Sequence, residues 1–190
     1  NMAPYNLALL GFGNVGQALA RLLLAKESEL ADRYGLTFAV TGISTGRHGA
    51  AIDPQGIDLP AALECMQAGG RLEALSAQAA PENALDFIRA CPAEVLFENT
   101  PVNYATGQPA VDHLQAALQK GMHAITANKG PVAHAYRELT ELAARQGRRF
   151  LYESTVMDGA PIFSLFRGAL PAAELRGFRG ILNSCTNLLL

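Results

Sequence analysis

The chain has 190 residues, of which 49% are hydrophobic and 17% are charged, and its formal net charge is −2. This near-neutral charge, without a run of Lys or Arg, argues against nucleic acid as a partner, and Arg21 and Lys26 interrupt the longest apolar run before it reaches membrane-spanning length. Three cysteines without close spacing indicate a reducing, cytoplasmic setting and no metal motif.

Strand-like and helix-like patterns alternate along the chain, which predicts an α/β fold with a parallel sheet. Strands are predicted at residues 6–10, 36–43, 95–98, 123–126 and 149–152. Helices are predicted at residues 13–26 (with an extension through residue 34 left open), 59–67, 82–90, 108–120 and 131–146. Residues 44–58 contain several Gly and Pro and are predicted to form a long loop.

A glycine-rich turn joins the first predicted strand to the first predicted helix, with the sequence Gly11-Phe12-Gly13-Asn14-Val15-Gly16. Its first glycine allows a tight turn, its second lets the backbone approach a pyrophosphate, and its third permits close packing of helix and strand. The helix start offers unpaired N–H groups to the anion. This context predicts a Rossmann-type doubly wound sheet that binds a dinucleotide, with an ordinary strand–helix turn as the alternative.

The end of the second strand bears on the choice of cofactor. An NAD site usually carries Asp or Glu here, but residues 36–52 contain neither. Ser44 and Arg47 are present instead, and a guanidinium with a nearby hydroxyl suits a 2′-phosphate. These residues favour NADP, with NAD still open; the alternative is that Arg47 is a solvated loop residue.

Two further strand ends carry candidate site residues. Asn99, Thr100 and Pro101 follow the strand at 95–98, and Lys129 follows the strand at 123–126. Ligands of open α/β sheets bind beyond the carboxyl ends of the strands, so these residues are expected beside the dinucleotide. An ammonium group at Lys129 could hold a carboxylate or alkoxide, or exchange a proton. The alternative is a surface lysine.

Two carboxylates follow the last predicted strand, Glu153 and Asp158, next to a Gly-Ala-Pro turn. They could bind a cation, orient an ammonium group of a substrate, or cap a helix around residues 161–166. Capping is the favoured interpretation for Asp158, and a functional role is favoured for Glu153. The four histidines show no ligand spacing and are interpreted as structural or solvated, and Cys185 has no evident base partner.

Four segments of this chain resemble the homoserine dehydrogenase family. In order they are Gly11–Gly16, Thr126-Ala127-Asn128-Lys129, residues 152–162 and residues 180–187. The resemblance implies NAD(P)-dependent interconversion of L-homoserine, an amino-acid substrate, and L-aspartate 4-semialdehyde. It implies a proton-transfer role for Lys129, a place near the nicotinamide for Thr100, and a monovalent-cation site at Glu153 with backbone groups around Val156 and Asp158.

The resemblance also implies a domain organisation. Residues 1–152 would form the Rossmann domain, and residues 153–190 would begin a second, α+β domain for substrate binding and homodimer formation. The family carries an acidic residue and a second lysine farther downstream, so the chain is expected to be truncated and catalytically incomplete alone. Met157 and Asp158 stand where the family has small residues. An aspartate dehydrogenase-like enzyme and a non-catalytic NADP-binding module are the alternatives.

Overall fold

Six strands form one sheet in the computed structural model, which describes residues 4–170 and 172–180. In chain order the strands are β1 (Tyr5–Leu10), β2 (Phe38–Ser44), β3 (Ala50–Ile52), β4 (Val95–Glu98), β5 (His123–Thr126) and β6 (Phe150–Leu151). The helices are α1 (Asn14–Tyr34), α2 (Leu59–Gln67), α3 (Ala84–Ala90), α4 (Ala110–Gln119), α5 (Lys129–Arg145) and α6 (Ile162–Ser164). Short 3₁₀ turns cover Leu72–Leu75 and Glu153–Thr155, and a π-helical turn covers Leu165–Ala169.

The strand order is β3-β2-β1-β4-β5-β6, which confirms the predicted α/β, doubly wound sheet. The chain first builds outward from β1 through β2 and then returns to place β4 on the other side of β1. The carboxyl ends of β1 and β4 therefore flank the crevice at which the strand order reverses, and this is where such sheets bind their ligands.

The prediction of a long loop at residues 44–58 was wrong in one respect. Residues Ala50–Ile52 form β3, a buried edge strand that runs antiparallel to β2, with Ser44 opposite Ala50. Three residues, two of them alanine, carry too little β-propensity to be recognised in a segment rich in Gly and Pro. Only the pairing with β2 makes this segment a strand.

The core lies on both faces of the sheet because side chains alternate along each strand. Leu7 and Leu9 of β1 pack on one face with residues of α2, whereas Ala8 and Leu10 pack on the other face with residues of α3. A third apolar cluster joins α4, α5 and β6. This burial on both faces explains why the strands contain nearly continuous apolar runs.

Several boundaries differ from those predicted. Helix α1 extends to Tyr34 and ends where Gly35 adopts a φ of 63°, in the left-handed region that glycine tolerates. Helix α5 begins at Lys129 instead of residue 131, and β2 includes Ser44. The apolar segment at residues 181–190, which contains Cys185 and most of the fourth family-like segment, lies outside the described residues.

Candidate functional site

The glycine turn has the geometry that its sequence predicts. A Cβ atom on Gly11, whose φ is +92°, would lie 2.5 Å from the carbonyl oxygen of Asn99. A Cβ atom on Gly16 would lie 2.3 Å from the carbonyl oxygen of Gly11, but one on Gly13 would meet nothing within 4 Å. The first and third glycines therefore permit close backbone packing, while the second faces open space where a pyrophosphate fits.

The other residues of this turn lie in different environments. The side chain of Phe12 is fully buried in the core, so only its backbone faces the turn. Its carbonyl oxygen accepts a hydrogen bond from the Gln17 side chain at 3.2 Å. Asn14 and Val15 are exposed at the start of α1, where the first N–H groups of the helix lack intrahelical partners.

A cavity of about 500 Å³ opens beyond the carboxyl ends of β1, β2 and β4. Its volume falls within the range of cofactor pockets. Its walls include the turn after β1, the end of β2 and the residues after β4, with Gly11, Ser44, Thr45, Gly46, Thr100 and Pro101 among them. The topology therefore brings four predicted cofactor residues, Gly11, Ser44, Thr100 and Pro101, to one cavity.

Arg47 is not among the residues that line this cavity, and its side chain is exposed. Acidic groups come instead from segments far along the chain. Glu82 lines the cavity, and the carboxylate of Glu73 lies against Gly49, 2.0 Å from where a Cβ on that residue would stand. A hydrogen bond from the Arg71 guanidinium lowers the pKa of Glu73. The sequence prediction considered acidic residues only within residues 36–52 and therefore did not include Glu73 and Glu82.

A second cavity, of about 190 Å³, lies beside the first. Thr100 lines both cavities, and Asn99, Lys129 and Val15 also line the smaller one. Lys129 is the first residue of α5 and its side chain is exposed. The side-chain nitrogen of Asn99 is buried and has no hydrogen-bond partner among the described residues.

A buried carboxylate that the sequence analysis missed lies beneath both cavities. Glu98, the last residue of β4, is fully buried. It accepts hydrogen bonds from the backbone N–H of Thr100 at 2.9 Å, from the Thr100 hydroxyl, and from the Thr126 hydroxyl at 2.7 Å. The available signal was an acid ending an otherwise apolar strand, because a charge at such a position requires partners.

His113 of α4 also lines the larger cavity and is 5% exposed. Its Nδ1 atom has no partner among the described residues. Burial lowers its pKa, and the charges of Glu98 and Asp112 oppose that effect. His113 therefore has an unpartnered ring nitrogen among the described residues and lies close enough to Glu98 to sense its charge.

The region after β6 was predicted to hold a cation at Glu153, Val156 and Asp158. In the structure, the Glu153 carboxylate accepts from the backbone N–H of Ser164 at 3.1 Å and from its hydroxyl at 2.7 Å. The Ser164 hydroxyl is the main cause of a lowered pKa for Glu153, and Arg167 lies 3.4 Å away. Among the described residues, no three His, Cys, Asp or Glu side chains form a metal-binding cluster.

Asp158 does not occupy the predicted capping position, since Pro161 is the residue that precedes α6. Met157 and Asp158 have φ values of 55° and 52°, in the left-handed region that non-glycine residues seldom adopt. The hydrogen bonds between Glu153 and Ser164 connect α6 to the 3₁₀ turn that follows β6.

A glycine turn at the switch point of a doubly wound sheet, with a cavity on either side of Thr100, defines an α/β protein of the dinucleotide-binding class. A sequence model described as the NAD-binding domain of homoserine dehydrogenase matches residues 11–153. The chain belongs to the homoserine dehydrogenase family. No helix in the described part of the chain has the length and apolar character needed to cross a membrane.

Relatives and solved structures agree with this assignment. The chain is 36% identical over 97% of its length to a homoserine dehydrogenase of Methanocaldococcus jannaschii, and 34% identical over its whole length to an NAD(+)-dependent homoserine dehydrogenase of Pseudomonas canavaninivorans. In each case it covers 54% of the relative, so it spans about half the length of these proteins. A hyperthermophilic archaeal homoserine dehydrogenase in complex with NADPH is 27% identical, with a TM-score of 0.71 over 86% of this chain and 48% of the other.

Proposed function

We propose that this chain forms the nicotinamide-binding part of an NAD(P)-dependent oxidoreductase that interconverts L-homoserine and L-aspartate 4-semialdehyde. The family model over residues 11–153 and the names of the relatives support this activity. The reaction belongs to the biosynthesis of amino acids from aspartate, and one relative from Zea mays is a bifunctional aspartokinase/homoserine dehydrogenase.

The observation that carries the proposal is the position of Thr100 and Lys129 on the walls of one small cavity. Thr100 also lines the larger cavity, which begins at Gly11. A dinucleotide whose adenosine half fills the larger cavity would cross the glycine turn and place its nicotinamide end between Thr100 and Lys129. The residues present fit this ligand, because Gly13 faces open space and Thr100 lines both cavities.

The nicotinamide, when bound, supplies or accepts the hydride at its C4 atom. The protein must then hold the substrate oxygen and move the matching proton. Lys129 is suited to both tasks, because an ammonium group stabilises a developing alkoxide and has protons to exchange. Its place at the first position of α5 fixes its backbone beside Thr100, while its side chain remains free to reach a substrate.

The cofactor-binding residues we propose are Gly11, Phe12 through its backbone, Gly13, Asn14, Val15, Gly16, Ser44, Arg47, Asn99, Thr100, Pro101 and Lys129. The cofactor is NADP, bound through Arg47 at the 2′-phosphate, or NAD, bound with Glu82 or Glu73 at the ribose. A monovalent cation at Glu153, Val156 and Asp158 remains a prediction. Binding there would require the Glu153 carboxylate to share its oxygens between the cation and Ser164.

We also propose the organisation that the family resemblance implies. Residues 1–152 form the dinucleotide-binding domain, and residues 153–190 begin the domain for substrate binding and homodimer formation. The enzyme acts in the cytoplasm. Sedimentation of the enzyme tests the dimer, and limited proteolysis of this chain tests the boundary, with cleavage expected after residue 152.

The activity is tested with a chimera in which residues 1–190 replace the matching half of the Methanocaldococcus jannaschii relative. Oxidation of L-homoserine, followed by the absorbance of the reduced cofactor, is expected. L-aspartate serves as the competing substrate, and oxidation of L-aspartate alone would indicate an aspartate dehydrogenase-like enzyme. A folded chimera that binds NADPH but oxidises neither compound would support a non-catalytic cofactor-binding module.

A further inference from the structure

The Glu98 carboxylate is the one fully buried acidic group among the described residues. A buried charge is destabilising unless hydrogen bonds replace its lost hydration. In the described part of the chain, its partners are the hydroxyl and backbone N–H of Thr100 and the hydroxyl of Thr126, and it forms no salt bridge. All of these partners lie at the ends of β4 and β5, directly below the smaller cavity.

These hydrogen bonds close a ring across the two strand ends. The Thr126 hydroxyl donates to Glu98 and accepts from the backbone N–H of Asn128 at 2.9 Å. The Asn128 side-chain amide donates to the Thr100 carbonyl oxygen at 3.2 Å. Because Thr100 donates to Glu98, the ring runs from Glu98 through Thr126, Asn128 and Thr100 and back to Glu98.

The ring affects two residues that line the smaller cavity, Lys129 and Thr100. Asn128 is the N-cap of α5 and accepts from the N–H of Gly130 at 3.0 Å, so the ring also fixes where Lys129 begins the helix. An ionised carboxylate only accepts hydrogen bonds, and a hydroxyl has a single proton. Since the Thr100 proton is directed to Glu98, the Thr100 oxygen can only accept from a ligand.

We propose that Glu98 is a positioning residue for the nicotinamide end of the cofactor, an inference that rests on the proposed function. It holds Thr100 as an acceptor for the carboxamide N–H group of a nicotinamide, and through Thr126 and Asn128 it fixes the start of α5 at Lys129. A carboxylate meets this requirement better than an amide. Glutamine would turn one donor group toward the threonines and disrupt the pattern.

The test compares two ligands that differ in the nicotinamide. The dissociation constants of NADPH and of 2′-phospho-ADP-ribose, which lacks the nicotinamide, are measured for this chain by fluorescence and calorimetry. Glu98→Gln is expected to weaken NADPH binding about tenfold, near the upper end of the effect of one hydrogen bond between neutral groups, and to leave the binding of 2′-phospho-ADP-ribose unchanged. NADH and ADP-ribose replace this pair if the chain prefers NAD.

Glu94→Gln is the matched control, because Glu94 precedes the same strand at its opposite end and accepts from the backbone N–H of Asn6. It is expected to alter neither dissociation constant. Thr126→Val removes the Thr126 hydroxyl from the ring but leaves Glu98 in place, so it should weaken NADPH binding as Glu98→Gln does. Thr126→Ser keeps a hydroxyl and should bind NADPH as the wild-type chain does. If Glu98→Gln does not fold, the two Thr126 variants test the positioning role of Glu98.

The positioning role would be overturned if Glu98→Gln and Thr126→Val weakened the binding of both ligands equally. It would also be overturned if these variants weakened the binding of neither ligand. In that case the proposed function stands, because the wild-type chain still binds the dinucleotide. A wild-type chain that binds neither NADPH nor NADH would instead remove the proposed function, and the role of Glu98 with it.

Discussion

The side-chain amide of Asn128 donates a hydrogen bond to the carbonyl oxygen of Thr100 at 3.2 Å. These residues follow different strands and are 28 positions apart in sequence. Their contact joins the end of β4 to the start of α5, the two segments that form the smaller cavity. The backbone at Thr100 and the start of α5 at Lys129 are thus held relative to each other by contacts within the chain.

Replacement of Lys129 by Met separates catalysis from binding. In the chimera, Lys129→Met is expected to lower kcat by about 100-fold or more, the usual contribution of a proton-transferring group, because methionine retains length but carries neither charge nor exchangeable proton. NADPH affinity should change far less. Steady-state kinetics and NADPH fluorescence measure the two quantities, and equal losses would reduce Lys129 to a cofactor ligand.

The second and third glycines of the turn are expected to respond differently to alanine. Gly16→Ala forces a Cβ against the Gly11 backbone, so it should lower the free energy of unfolding by about 1–3 kcal/mol. Gly13 has a φ of −80° and open space around its Cα, so Gly13→Ala should fold normally. Its added methyl group should nevertheless weaken dinucleotide binding about tenfold. Thermal unfolding and calorimetry measure the two effects, and normal binding by folded Gly13→Ala would contradict the pyrophosphate site.

Arg47→Ala tests the choice of cofactor. If the guanidinium holds a 2′-phosphate, its removal should weaken NADPH binding about tenfold, the value of a charge-assisted pair, and leave NADH binding unchanged. Glu82→Gln, at the wall of the larger cavity, is the complementary variant and should improve NADPH binding relative to NADH. An unchanged NADPH to NADH preference in Arg47→Ala would show that Arg47 is only a solvated loop residue.

The lowered pKa of His113 predicts a loss of stability in weak acid. Burial depresses the pKa of His113 below its ordinary value of 6.5, whereas in the unfolded chain that value is restored. The unfolded state therefore binds more protons as the pH falls below 6.5, and the free energy of unfolding decreases through this range. Well above pH 6.5 both states are neutral at this residue and the contribution is constant.

Urea unfolding at several pH values between 7.5 and 5 measures this effect. His113→Gln should reduce part of the decrease in the free energy of unfolding between pH 7.5 and 5. His123, whose pKa is also lowered, chiefly by burial and then by Arg148 and Arg149, should account for a further share. His48→Gln is the control, and an identical slope in His113→Gln and the wild-type chain would show that His113 does not titrate as its burial implies.

The predicted cation site is tested by thermal unfolding in chloride salts of equal ionic strength. If Na⁺ or K⁺ binds at Glu153, Val156 and Asp158, either salt should raise the Tm above its value in choline chloride, because binding to the folded state is stabilising. Glu153→Gln should abolish the difference. Equal Tm values in all three salts for the wild-type chain would remove the site.

The sequence by itself determined the fold class and the geometry of the glycine turn. Glycines at positions 11, 13 and 16 between an apolar strand and a helix have specific steric roles, and the alternation of strands and helices leaves few other topologies. Local rules of this kind also predicted that Thr100 and Lys129 lie at the same edge of the sheet, because each follows the carboxyl end of a parallel strand within a few residues.

The tertiary structure alone decided what those residues touch. The β3 edge strand exists through its pairing with β2, Glu82 reaches the cavity from a distant segment, and Arg47 lies outside it. Glu98 belongs to an apolar strand, and its three donors come from two strand ends that only the folded sheet brings together. The physical reason is that the Thr126 hydroxyl reaches Glu98 only through the pairing of β4 with β5, whereas the positive φ of Gly11 uses the local backbone freedom of glycine.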